Sequence, residues 1–285
     1  LRESVGRDAP ILIDQEGGRV QRMRAPYWRE WLPPLDQVMR SGAHAVRGMA
    51  IRSRVIAHEL RSVGIDANCA PCADIAAEAT HPFLRNRCYG ADAATVASVA
   101  RAVADAHLAG GVLPVVKHMP GHGRSTADTH HDLPTVTETG DVLDVTDFAP
   151  FRALADMPMA MTAHIVFSAF DPDNPATQSS TMVDVIRNRI GFRGLLMTDD
   201  LSMQALAGTL AYRAARSVAA GCDIALHCKG DLAEMQAVAA AAGTLRSDSI
   251  PRALAALAAR RAPDPVDIAA LEADLALILE GRAHV

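Results

Sequence analysis

Aromatic side chains are scarce in this sequence, 4% of 285 residues, and alanine and valine fill much of the apolar quota. A core of such small side chains suits helices packed closely on a sheet. Cysteine is sparse and irregularly placed: Cys69, Cys72, Cys88, Cys222 and Cys228 are odd in number and do not form a disulfide framework. Cys69-Ala-Pro-Cys72 has C-x-x-C spacing but no matching second pair and no helix start behind its first thiol. It therefore reads as two buried thiols at a strand end, not a zinc or redox site. There is no basic excess, the formal net charge being −5, so no nucleic-acid partner is expected. No charge-free run reaches membrane-spanning length and no signal-like segment opens the chain, so no membrane contact is expected and the cytoplasm is the expected location. A Gly-rich nucleotide loop is also lacking: Gly17-Gly18 follows the first apolar run, but G-x-G-x-x-G does not occur there.

What the sequence does have is alternation. Short apolar runs at residues 11–13, 65–70, 112–116, 159–163, 195–198 and 223–226 are separated by longer helical patterns. Val46, Met49, Ile56 and Leu60 share one helical face, as do Ile268, Leu271, Leu275 and Ile278. Strands alternating with helices imply parallel β/α units in a single domain. Two parallel architectures compete, and a (β/α)₈ barrel predicts ionisable residues at the C-terminal ends of several strands. Four runs end that way, leading into Asp14, Lys117-His118, His164 and Asp199-Asp200. The expected fold is thus a TIM (β/α)8-type barrel. Six runs are two short of eight, so the first two strands are expected to be absent from this chain.

The densest polar stretch runs from Lys117 to His131 and carries His118, His122, His130 and His131. Pro120 and two glycines argue against a helix there, and so against paired metal ligands on a helix face. The stretch reads as a long loop over the barrel rim. Asp128 and His130, two residues apart, can form a carboxylate–imidazole pair able to shuttle a proton near neutral pH. His122 and His131 read as solvated loop residues.

Several fragments together resemble glycoside hydrolase family 3, in its β-N-acetylhexosaminidase branch. They are Asp14-Gln15-Glu16-Gly17-Gly18-Arg19-Val20-Gln21-Arg22, Asn86-Arg87-Cys88-Tyr89, Lys117-His118-Met119-Pro120-Gly121-His122-Gly123 with Asp128-Thr129-His130, and Thr198-Asp199-Asp200-Leu201-Ser202-Met203. They span nearly the whole chain in family order. Cys88 stands where serine is common and Asn86 where glutamate is frequent, departures that touch only the geometry around Arg87.

The resemblance implies a single catalytic barrel domain over residues 1–285, incomplete at its N-terminus, with a small carbohydrate as its partner. It also implies retaining, exo-acting release of terminal β-linked N-acetylglucosamine from peptidoglycan fragments (GlcNAc-anhydroMurNAc-peptides). Asp199 would be the nucleophile, and His130, oriented by Asp128, would take the part usually played by a second carboxyl group. Asp14, Arg22, Arg87, Lys117 and His118 would bind the sugar, with no metal or organic cofactor. Asp200 would cap a following helix, and Trp28 and Trp31 would pack at the surface. Three alternatives stay open: a metal-dependent hydrolase using His118, His122, His130 and Asp199, a phosphorylase using the same site, and an inactive sugar-binding remnant.

Overall fold

The computed structural model describes residues 2–125 and 132–283. Asp128, His130 and His131 lie outside the described residues. The central sheet is wholly parallel and follows the chain: β1 (Leu12–Ile13), β2 (Ala67–Asn68), β3 (Leu113–Met119), β4 (Met159–Thr162) and β5 (Leu195–Met197) lie side by side in that order. The sixth apolar run pairs beside β5 through a parallel bridge between Met197 and Ile224. All six runs are therefore neighbours in a barrel-type α/β fold. Among the described residues no ladder joins β1 to the Ile224 segment.

Each strand is followed by helix. Ala45–Ser62 follows β1, Ala93–Ala109 follows β2, and Leu210–Ala220 follows β5. Several starts are fixed by side-chain caps: Asp92, Thr209, Asp231 and Asp267 each accept a hydrogen bond from a backbone N–H in the first turn. Val46 is 44% exposed, unlike Met49, Ile56 and Leu60, so it lies off the face that docks. Leu275 and Ile278 are buried, with Ile268 and Leu271 packed against the same cluster. The few aromatics are concentrated: Phe148, Phe151, Phe167 and Phe192 are all fully buried in one core cluster, outside the sheet. Trp31 is buried too, beside the Arg52 guanidinium, which corrects its expected surface role.

The two-residue period of the strands decides what faces inward. Ala67 and Cys69, Leu113 and Val115, Met159 and Met161, and Leu195 and Met197 form one apolar cluster with Leu12. Continuing the same alternation past the strand ends puts Asp14, Lys117 and Asp199 on that face. Cys69 and Cys72 are buried free thiols where β2 ends. Gly17 (φ +102°) sits in the hairpin formed by Gln15–Gly17 and Val20–Gln21, and a Cβ there would collide with the Arg52 guanidinium and the Trp31 side chain.

A buried imidazole ties helix to sheet. His107, on helix Ala93–Ala109, donates from Nδ1 to the Val103 carbonyl oxygen (2.8 Å) and accepts at Nε2 from Asn68 Nδ2 (2.9 Å). Burial lowers its pKa from 6.5 to about 4. The unfolded chain therefore takes up a proton below about pH 6.5 that the folded ring refuses until about pH 4, and stability is lost as pH falls through that window. Urea denaturation should show His107 alone contributing a loss of about 2 kcal/mol between pH 7.5 and 5. The slope should flatten by that amount in His107→Asn, and an unchanged slope would contradict the assignment.

Candidate active site

The inward-facing strand ends and the loops beyond them surround a cavity of about 460 Å³. Asp14, Arg22, Arg87, Lys117, His118 and Asp199 all line it, so every sugar-site residue expected from the sequence and lying within the described residues meets there. His81, Phe83, His122, Asp200, Met203 and Cys228 line it as well.

Several of these side chains belong to an ion cluster centred on buried Glu16, a residue that sequence reasoning left without a role. Glu16 is 6% exposed; its Oε1 and Oε2 accept from Arg87 Nη2 (2.9 Å) and Nε (3.0 Å) in a two-pronged pair. The same carboxylate lies against the Lys117 ammonium, 2.5 Å from Nζ. Lys117 also donates to Asp14 Oδ1 (2.9 Å), and Arg22 reaches Asp14 Oδ2 (3.2 Å). Burial opposes ionisation of Asp14, but the charges of Lys117 and Arg22 outweigh it and hold the carboxyl well below the usual range. Burial opposes ionisation of Glu16 in the same way, and Arg87 and Lys117 bring it down. Lys117 has three N–H donors; Asp14 and Glu16 take two, leaving one for a ligand.

A second cluster centres on Asp74, which is also fully buried. Its Oδ2 accepts from His118 Nδ1 (2.6 Å) and the Cys72 thiol (3.3 Å), and its Oδ1 from the His122 N–H (2.7 Å). Arg87 Nη2 donates toward His118 Nε2 (3.3 Å), so the two ring nitrogens have opposite roles: Nδ1 donates and Nε2 accepts. Cys72, Asp74 and His118 bring potential metal-ligand atoms within 4.8 Å of one another. Their lone pairs and protons are spent on each other, and a guanidinium faces the remaining His118 nitrogen where a cation would have to approach. That geometry leaves Cys72, Asp74 and His118 poorly suited to hold a cation together. His122 is not a solvated loop residue. It is 5% exposed, packs edge-on against His118 at 5.3 Å between centroids, and has its pKa pushed down to about 3 by burial.

Asp199 lies at the end of β5 with its Oδ1 accepting from the Asp200 N–H (2.8 Å). Burial tends to raise its pKa, and polar surroundings that include the Asp200 N–H and the Lys117 ammonium outweigh that, leaving it below the ordinary carboxylate value. An ionised carboxylate facing a cavity is equipped for nucleophilic attack. Asp200 does not cap a helix, because the segment after it is turns. Its carboxylate instead accepts from the Ser202 N–H (3.0 Å) and the Cys228 N–H (3.1 Å), tying two strand-end loops together.

The described stem of the histidine-rich loop is fixed at the cavity wall. Gly123 lies against the Ile75 backbone with no room for a Cβ, and the Ser125 carbonyl oxygen accepts from the N–H of the wall residue His81 (2.9 Å). Arg124 binds Asp147 (2.7 Å) and Glu138 (2.8 Å).

A parallel α/β barrel fold with an ionised aspartate at a strand end, facing lysine, arginine and histidine across a small cavity, defines a barrel enzyme-type site for a polar small molecule. The chain belongs to glycoside hydrolase family 3: residues 4–261 match the Glycosyl hydrolase family 3 N terminal domain. It is 34% identical over 235 residues to a beta-hexosaminidase of Nitrosomonas eutropha, covering 78% of this chain and 66% of that protein. It is 34% identical over 258 residues to one of Xanthomonas campestris pv. campestris, covering 88% and 77%. Among solved structures, NagZ from Neisseria gonorrhoeae in complex with N-trifluoroacetyl-D-glucosamine superposes with a TM-score of 0.79 at 28% identity, covering 96% of this chain and 82% of that one. A family 3 beta-N-acetylglucosaminidase from Paenibacillus sp. gives 0.77 at 30% identity, covering 97% and 51%. The chain thus spans about two thirds of the Nitrosomonas relative and about half of the Paenibacillus enzyme.

Because Glu16 has two buried cationic partners, Glu16→Gln should cost about 3–5 kcal/mol of stability at pH 7 in urea unfolding. Asp14→Asn, whose side chain is 31% exposed, should cost less than half as much. Equal losses would show that Glu16 is not the main anchor.

Proposed function

We propose that this chain is the catalytic barrel domain, over residues 1–285, of a retaining exo-β-N-acetylglucosaminidase. It removes terminal β-linked N-acetylglucosamine from peptidoglycan fragments of the GlcNAc-anhydroMurNAc-peptide type, acting in the cytoplasm. The observation that carries this reading is the pairing of an ionised Asp199 with the Lys117 and Arg87 donors and the His118 ring around one sugar-sized cavity. The beta-hexosaminidase relatives and the glucosamine-derivative complex of the gonococcal enzyme support the same substrate class. The mouth is cationic: the Arg22 side chain is 60% exposed, and Arg19 stacks 4.1 Å over the Phe83 ring. Such a rim suits an aglycone bearing carboxylates.

In the proposed reaction, Asp199 attacks the anomeric carbon while His130 gives its proton to the departing oxygen. A covalent glycosyl-enzyme results. Water then attacks the same carbon, its proton passing to His130, and Asp199 is released with net retention. Asp128 orients the imidazole and stabilises its charged form. Support for delivery of this pair comes from the loop stem, which is anchored at the cavity wall through Ser125 and His81. Asp14, Lys117, Arg87, Arg22 and His118 hold the sugar hydroxyls and acetamido group.

Turnover of a chromogenic N-acetyl-β-glucosaminide, followed by proton NMR, should release the β-anomer first; an α-anomer product would sink the double displacement. Asp199→Ala should lower kcat at least ~10⁴-fold and abolish the covalent mass shift seen with a slow fluorinated substrate. His130→Ala should harm substrates with poor leaving groups most, by ~10²–10⁴-fold, and Asp128→Ala should act in the same direction more weakly. Equal losses across leaving groups would argue against the acid–base pair. A sugar 1-phosphate formed in phosphate buffer would move the reading to phosphorolysis.

A further inference from the structure

His164 is a fully buried imidazole beside the nucleophile with no part in the sugar contacts above. It follows β4, and its ring spans the gap to the loop after β5. Nε2 lies 3.0 Å from the backbone oxygen of Asp200, and Nδ1 lies 2.8 Å from Thr177 Oγ1. A carbonyl oxygen can only accept, so Nε2 carries a hydrogen. Burial, the largest influence on the ring, lowers its pKa and favours the neutral form. A neutral ring protonated at Nε2 has a bare Nδ1, which must accept from the Thr177 hydroxyl.

Thr177 Oγ1 in turn lies 2.8 Å from Thr162 Oγ1, which can donate to it; the Ala163 carbonyl, at 3.0 Å, is the more distant competitor for the Thr177 proton. All four groups are then satisfied by one directed chain: Thr162 hydroxyl to Thr177, Thr177 hydroxyl to His164, and His164 Nε2–H to the Asp200 carbonyl. Its last acceptor belongs to the residue whose N–H donates to Asp199 Oδ1 and whose carboxylate binds Ser202 and Cys228. Met203 N–H also reaches the Asp200 carbonyl (3.1 Å), but from within the same loop, so His164 supplies the link to the neighbouring strand.

We propose that His164, held in its Nε2–H tautomer by Thr177, is a positioning residue that fixes the Asp199-Asp200 backbone and thereby the approach of the Asp199 carboxylate to the sugar. This rests on the reading of Asp199 as nucleophile. The relay acts on geometry and leaves sugar affinity alone, since none of its members donates to the ligand. It therefore lowers kcat with little change in KM when broken, whereas general loosening of the core lowers stability and affinity together.

The test combines kinetics on a chromogenic N-acetyl-β-glucosaminide with nitrogen NMR of the histidine rings, on the whole chain. His164→Asn should lower kcat ~10²-fold and Thr177→Val ~10-fold, each with KM within about threefold of the parent. Thr177→Ser, which keeps the hydroxyl, should restore kcat relative to Thr177→Val. NMR should show the Nε2–H tautomer at His164 in the parent protein, and the Nδ1 resonance should shift in Thr177→Val, where that nitrogen loses its hydrogen-bond donor. An Nδ1–H ring in the parent, or an unchanged kcat in a folded Thr177→Val variant, overturns the proposal, as does a loss carried mainly by KM. An inactive parent protein would instead sink the glycosidase reading, while the NMR result still decides for or against the relay.

Discussion

The buried carboxylate of Glu16 is the constraint on which the site depends. It binds Arg87 with both oxygens and also contacts Lys117, so residues from three chain segments are fixed relative to one point. Two buried cations cannot lie this close without an anion between them, and one anion between two cations leaves a net positive charge. Asp14 absorbs part of that charge from Lys117. The remaining donor capacity of Lys117 and Arg87 faces the cavity, which suits the proposed guest, one rich in acceptor oxygens.

Much of this was legible in the sequence because strands of this kind carry two simple signals. The apolar runs at 11–13, 65–70, 112–116, 159–163 and 195–198 each overlap a strand of the central sheet, and of the ionisable residues at strand ends Asp14, Lys117, His118, Asp199 and Asp200 line one cavity, while His164 lies buried behind it. Run 223–226 was harder, since Asp223 opens it and only Ile224 bridges to β5. The small sheet of Thr135–Val136, Val166–Phe167 and Asp171–Pro175 gave no periodic signal, because two-residue strands are too short to show alternation and Asp171–Pro175 is mostly polar.

The supporting residues were the ones sequence reasoning missed, for a common reason. Glu16 and Asp74 are ordinary acidic residues until their partners are known, and those partners lie far along the chain, Arg87 and Lys117 for one, His118 for the other. His122 looked solvated because glycines flank it, yet Gly121 lets the chain press against Asp147 and Gly123 against the Ile75 backbone, and the ring between them is buried. Asp200 looked like a cap because an aspartate before a polar turn often is one; its carboxylate is instead taken by Ser202 and by the distant Cys228 N–H.

The cation inventory has a practical side. Of 28 basic side chains only two are lysines, Lys117 and Lys229; the remainder are arginines. Lys117 is 2% exposed with its ammonium held between two carboxylates, while Lys229 is exposed and adjoins the cavity-lining Cys228. An acylating reagent that ignores guanidinium groups thus has a single accessible side-chain amine to modify. It sits near the mouth of the pocket, where a fluorophore or a surface tether would report on what enters without disturbing the ions below.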